Sequence, residues 1–199
     1  METLALESAA GAARRRVQQA RPETFLRRKD FTGTDRAIES ALSRLAARGE
    51  LIRVRRGLYW RGKKTRFGMT RPSALEVAVA VGGPGTGPCG VAAAHLLGLT
   101  TQVPATVEVA VPGKVPEPMS SVRFRSRPYS RREHHLTPTE VAVLEVLRDP
   151  DAAEVPWPVV VARIRELIAD GTVRGDVLDV QAIEEPRVQA RERWATVAA

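Results

Sequence analysis

Cysteine is nearly missing from this sequence: Cys89 alone among 199 residues excludes an internal disulfide and leaves no cysteine cluster for a structural zinc. Long apolar runs are missing as well. The longest stretches, such as Val77 to Val81 and Val141 to Val143, fall far short of the roughly 18 residues a membrane span needs. Nothing at the start combines a charged segment, an apolar run and a small-residue cleavage site. No internal repeat is visible. Together these absences predict a cytoplasmic protein in a reduced compartment, with no membrane association, no bound metal and no cofactor. What remains is 43% hydrophobic, enough in a chain of this length for one sizeable core or two small ones.

The formal net charge is +8, and its distribution says more than its size. Residues 14 to 71 hold 18 of the 31 lysines and arginines but only 5 of the 23 acidic residues, so this segment carries +13 and the rest −5. A positive footprint confined to about 58 residues is what phosphate binding by one domain requires, because each cation placed on a phosphate releases condensed counterions. The competing explanation is a basic face that only meets solvent.

Leu4 to Arg21 reads as a helix stopped by Pro22, and Phe25 to Phe31 is short enough for a two-turn helix. Gly33-Thr34 then supplies a turn, with Thr34 as N-cap. Between Asp35 and Arg48, Ile38, Ala41, Leu42 and Leu45 fall on one helical stripe, leaving Arg36, Glu39, Ser40, Ser43, Arg44 and Ala47 on the opposite face. Gly49 suits the left-handed residue that ends such a helix. Leu51 to Arg55 alternates with period two, Arg56-Gly57 turns the chain, and Leu58 to Arg61 returns. Helix, short helix, turn, helix and basic hairpin is the order of a winged helix-turn-helix. Arg61 to Arg66 forms a basic tail to the wing, and Met69 to Pro72 a linker.

Beyond the linker we expect a helix at Ser73 to Val81, although Val-rich Val77 to Val81 leaves a strand open, then a loop at Gly82 to Gly90, a small helix at Val91 to Leu97, and strands at Thr106 to Val111 and Ser121 to Ser126. A helix capped by Thr137 spans Pro138 to Arg148, and two more cover about Pro158 to Ala169 and about Pro186 to Val197. The predicted fold class is therefore α+β: an N-terminal helix (1–22), a winged helix-turn-helix (23–68), and a small mixed α/β domain with C-terminal helices (72–199).

In a helix-turn-helix the second helix enters the major groove, where an arginine can pair bidentately with guanine. Arg36, Ser40, Ser43 and Arg44 occupy the face that would do this, while Arg53, Arg55, Arg56, Tyr59, Arg61, Lys63 and Lys64 on the hairpin and its tail would meet phosphates or the minor groove. Arg123, Arg125, Arg127, Arg131 and Arg132 form a second basic group, either an additional nucleic-acid or acidic-partner contact or a solvated strand edge.

Other signals are weaker. Gly85-Thr86-Gly87-Pro88-Cys89-Gly90 matches G-x-G-x-x-G, but Pro84 and Pro88 remove amide donors a pyrophosphate would want, and a turn explains it better. Cys89 and His95 have no nearby orienting carboxylate, and His134-His135 diverge on any regular element. A nuclease would need an acidic pair with a nearby lysine in the 105–126 strands, where Glu108 stands without such a set. No enzyme is expected.

Leu42-Ser43-Arg44-Leu45, Gly49, Leu51, Arg53-Val54 and Arg56-Gly57-Leu58-Tyr59 resemble the winged-helix signature of AbiEi-type antitoxins, the regulator half of type IV toxin–antitoxin systems. Ala92-Ala93-Ala94 with Leu97-Gly98-Leu99-Thr100-Thr101-Gln102-Val103-Pro104 is similar to the start of the second domain in the shorter, DUF6088-like branch. The resemblance covers roughly residues 20 to 170. It implies an autorepressor that binds inverted repeats of double-stranded DNA in its own promoter, and a second domain that counters a nucleotidyltransferase toxin without a stable complex. By likeness, Arg36, Ser40, Arg44, Arg53, Arg55 and Arg56 carry the DNA contact. A homodimer is expected from the two-fold symmetry of repeat operators. Two further readings stand beside this one: a winged-helix module that binds a partner enzyme directly, and a solitary transcription regulator without a toxin.

Overall fold

The computed structural model describes residues 9–199 and is a mixed α+β protein that divides into two compact units at Ser73/Ala74. The expected helical residues Leu4 to Ser8 lie outside the described residues.

The first unit opens with α1 (Ala9–Gln19), whose Ala13 and Val17 are buried one turn apart, followed by buried Ala20. Phe25 to Phe31 departs from expectation. Instead of a two-turn helix it forms β1 (Thr24–Arg27) and a single 3-10 turn, Arg28–Asp30. The reason is tertiary: Leu26 is buried, and the segment's backbone groups are satisfied by pairing with a later strand, which a short isolated helix cannot match. Helix α2 (Asp35–Ala47) buries Ile38, Ala41, Leu42 and Leu45 against α1. It ends in a Schellman motif, with the Glu50 amide donating to Leu45 O (2.9 Å), the Gly49 amide to Ala46 O (3.0 Å), and Gly49 at φ +68°.

Strands β2 (Ile52–Arg55) and β3 (Leu58–Arg61) form a hairpin with a register shift between Arg53 and Arg55, and β3 is the centre of an antiparallel sheet ordered β1-β3-β2. The expected tail and linker fold too: β4 (Lys64–Thr65) and β5 (Gly68–Met69) make a second, two-stranded hairpin. It is tied to the sheet where Trp60 Nε1 donates to Thr70 O (2.8 Å) and the Lys63 amide donates to Thr70 Oγ1 (2.9 Å).

The second unit begins with α3 (Ala74–Gly82), β6 (Gly87–Pro88) and α4 (Val91–Leu96), followed by β7 (Val107–Pro112) and β8 (Val122–Arg127). β7 lies between antiparallel β6 and parallel β8. Ala78 of α3 packs on one face of this sheet with Val109 and Val111, while Val107, Val122 and Phe124 flank them. After the short α5 (Ser130–Glu133), α6 (Pro138–Arg148) runs through the centre of the larger core, buried on all sides from Glu140 to Leu147. Its N-terminus carries the expected capping box, with the Glu140 amide donating to Thr137 Oγ1 (3.3 Å) and the Thr137 amide to Glu140 Oε2 (2.8 Å). Helices α7 (Trp157–Ala169), α8 (Gly175–Glu184) and α9 (Val188–Ala198) complete the unit.

Candidate nucleic-acid interface

Burial of the Ile38, Ala41, Leu42 and Leu45 stripe turns the opposite face of α2 to solvent, and Arg36, Glu39, Ser40, Ser43, Arg44 and Ala47 are all exposed on it. The turn into this helix is held by Arg28, whose guanidinium donates to Phe31 O (3.0 Å) and Gly33 O (2.7 Å) and pairs with Asp35. That anchorage fixes where the exposed face points, which is what a reading surface needs before any contact is made.

Beside α2, the β2–β3 turn presents Arg56 next to Gly57, which at φ +71° takes a left-handed position that a side chain would strain. A cleft of about 340 Å³ opens between helix and hairpin, lined by Arg28, Glu39, Leu42, Ser43, Arg53, Arg56, Gly57 and Tyr59. The fold therefore brings Ser43 together with Arg53 and Arg56, residues separated in sequence, and adds Glu39 to the same opening. Arg36, Arg44, Arg53, Arg56, Lys63 and Lys64 make no ion pair with any described residue. Among the described residues, no carboxylate takes up these six charges.

Three expected contact residues sit differently. Tyr59 belongs to the core of the first unit at 4% exposure, so its ring supports the hairpin from beneath and only borders the cleft. Arg55 is half-buried because the bulge at Val54 interrupts the simple alternation. Arg61 is half-buried as well, with its carbonyl accepting from the Glu23 amide (2.6 Å).

The second arginine group does not form one surface patch. Arg131 is completely buried, bonded to Glu145 (Nη1 to Oε1, 2.7 Å) and to Glu185 (Nε to Oε1, 2.8 Å). Arg127 makes a bidentate pair with Glu145 at 2.7 and 2.6 Å, and Arg148 Nη1 donates to Glu185 (2.7 Å). Arg123 and Arg125 share Glu108 at 3.2 and 2.7 Å. Arg132 donates to Gly82 O (2.6 Å) and lies over the Tyr129 ring. These acidic partners are not legible from local spacing, because they arrive from β7 (Glu108), from α6 (Glu145) and from beyond α8 (Glu185), 14 to 54 positions away.

Burial pushes the Glu145 carboxyl up, but the hydrogen bond from Arg127 and the charges of Arg131 and Arg127 outweigh it and leave the group below its ordinary value. Cys89 is buried nearby and its thiol is pushed up to about 12, first by burial and then by Glu145, which favours the protonated form. The glycine motif serves packing. A side chain at Gly85 would meet the Arg131 carbonyl oxygen at 2.4 Å, and one at Gly87 would meet Val141 Cβ at 2.6 Å. His134 Nε2 lies 3.1 Å from Glu184, and His95 is exposed.

The fold and this surface define a two-unit α+β chain whose first unit exposes Arg36 and Arg44 on α2 and Arg53 and Arg56 on the hairpin, none of them ion-paired among the described residues. Over residues 15–116, slightly more than half its length, the sequence matches the model of a family of unknown function, DUF6088, and the chain belongs to that family. No curated protein matches it. Among solved structures, the crystal structure of RV2827C protein from Mycobacterium tuberculosis is similar at 15% identity, with a TM-score of 0.45 over 93% of this chain and 74% of the other.

Proposed function

We propose that the chain is a sequence-specific, double-stranded DNA-binding transcriptional repressor, and that its first unit acts as a winged helix-turn-helix. In this reading α1 supports, the 3-10 turn and the Gly33 turn replace the usual first helix of the motif, α2 enters the major groove, and the β2–β3 hairpin is the wing. The observation that carries the proposal is the convergence of Ser43, Arg53 and Arg56 on one cleft beside Arg36, Ser40 and Arg44, with Arg36, Arg44, Arg53 and Arg56 unpaired among the described residues. Arginines on α2 would read base edges, and those on the wing would fix register through phosphates. Glu39 adds an acceptor suited to the exocyclic amine of cytosine.

The likeness of residues 92–104 to AbiEi-type regulators supports a finer reading. The repressor would act on inverted repeats in its own promoter, as a homodimer in the cytoplasm, and would be the antitoxin opposing a nucleotidyltransferase toxin. The role is binding, not catalysis.

Fluorescence anisotropy of the full chain with its own upstream duplex and a scrambled duplex, across a salt series, tests the proposal. A specificity ratio of at least about 10³ and a steep negative salt slope are expected. Arg44→Ala combined with Arg56→Ala should remove most of the preference; unchanged binding by that variant sinks the site assignment. Equal, weak binding to both duplexes rejects the repressor itself.

A further inference from the structure

Phe67 is the most exposed large hydrophobic residue among those described, at 86%. It sits at the tip of the β4–β5 hairpin, and this hairpin is built rather than loose. At the tip, Thr65 Oγ1 donates to Gly68 O (2.8 Å) and accepts from the Phe67 amide (3.2 Å). Gly68 takes φ +109°, open only to glycine without strain. At the base, Trp60 and Lys63 are bonded to Thr70, and Gly62 lies so close to Thr70 that an added side chain would meet its carbonyl oxygen at 2.2 Å. The hairpin's own hydrogen bonds thus hold its shape while the Phe67 ring stays in water.

The charge around the ring identifies its partner. Between Glu50 and Glu76 there are eight lysines and arginines and no acidic residue. Arg66 shares the tip, with its guanidinium 4.6 Å from the Phe67 ring centroid, and exposed Lys64 and Lys63 follow along the same hairpin toward its base. A polyanion with flat apolar faces between its charges satisfies both features, and duplex DNA is one. The hairpin leaves the sheet from the Arg61 end of β3, whereas the wing turn lies at the Leu58 end, roughly 10 Å away along the strand.

Building on the DNA-binding reading, we propose that Phe67 is an apolar wedge that enters a base-pair step of the bound duplex outside the sequence contacted by α2 and the wing, with Lys63, Lys64 and Arg66 holding the phosphates on either side. Wedges of this kind partly unstack a step and kink the duplex, most easily at pyrimidine–purine steps.

The test uses the full chain and its own upstream duplex carrying 2-aminopurine at successive positions, whose emission rises where stacking is lost. The wild type should raise emission several-fold at one flanking step. Phe67→Ala should abolish the rise and weaken binding about tenfold while leaving the salt slope unchanged, because an apolar contact releases no counterions. Phe67→Leu should restore the rise and Phe67→Lys should not. Phe67 is exposed, so the variants should keep the wild-type urea midpoint. Flat emission with the wild type bound, or equal binding and emission by Phe67→Ala, overturns the wedge and leaves the DNA reading standing. Failure of the wild type to prefer its own duplex overturns the DNA reading and this inference with it.

Discussion

The two units use arginine in opposite ways. In the first, Arg36, Arg44, Arg53 and Arg56 have no acidic partner among the described residues and stand in water. In the second, Arg127, Arg131 and Arg148 are locked onto Glu145 and Glu185, whose side chains are 3% and 1% exposed. A guanidinium in water keeps its charge available to a partner, whereas a buried one must be compensated on the spot or cost several kcal/mol. Composition alone therefore does not locate an interface. What distinguishes these two sets of arginines is whether a carboxylate reaches them in the folded chain; elsewhere in the first unit Arg28, Arg14 and Arg48 do meet Asp35 or Glu50.

The largest effect should come from breaking the compensated side of this contrast. Arg131→Met leaves Glu145 and Glu185 buried with fewer cations, and should destabilise the second unit by about 3–5 kcal/mol. Urea unfolding in a Trp60→Phe background, where Trp157 and Trp194 report on that unit, measures it; a loss below about 1 kcal/mol would mean the network is not a determinant of stability. The same network sets a pH response. Glu145 and Glu140 are both held below their ordinary values, against burial, by Arg127 with Arg131 and by Arg174 respectively. Carboxyls depressed in the folded state contribute fully above the unfolded value near 4.3, and that contribution is lost as pH falls through the lower folded values. Acid unfolding of the second unit should thus set in below about pH 4 and move to higher pH in Glu145→Gln.

Two glycines sharpen the comparison at the level of the backbone. Gly57 (φ +71°) in the β2–β3 turn and Gly85 (φ +75°) beside Arg131 share a left-handed conformation, but an added Cβ meets nothing within 4 Å at Gly57 and the Arg131 carbonyl at 2.4 Å at Gly85. Gly57→Ala should cost only the conformational strain, about 1 kcal/mol, whereas Gly85→Ala adds a clash with backbone that cannot move without disturbing the ion pairs, about 3 kcal/mol in all. Equal midpoints for the two variants would show that the Gly85 loop yields freely.

Where periodicity and capping act locally, the sequence was readable. The α2 stripe, the Gly49 stop, the β2–β3 turn and the Thr137 capping box all depend on residues within a few positions of one another. Helix α8 was missed because its apolar residues face both ways: Leu178 and Ala182 are buried while Val180 and Ile183 are exposed, so no stripe stands out. β1 was mistaken for a helix because its partner strand is some 35 residues away. The solvent face of α2 could be read from spacing, but the burial of Tyr59 and Arg131 could not, since each follows from what packs over it. Phe67 drew no notice because it falls between the basic tail expected at Arg61 to Arg66 and the linker expected at Met69 to Pro72, which pair across it as a tied hairpin.

The smallest effects test whether exposure alone makes an arginine functional. Arg123 and Arg125 are as accessible as many interface residues, with side chains 63% and 46% exposed, yet both rest on Glu108. An exposed pair of this kind contributes about 0.2–1 kcal/mol, so Arg123→Ala and Arg125→Ala should each shift stability by no more than that. Neither should alter the salt dependence of DNA binding. Arg53→Ala should leave stability equally untouched but reduce the magnitude of the log–log salt slope by about 0.9, the signature of one lost phosphate contact. Measured side by side in the anisotropy series, the three variants separate charge that is merely at the surface from charge that is free to be used. If Arg125→Ala lowers the slope as Arg53→Ala does, the pairing with Glu108 opens on binding and the second unit joins the interface.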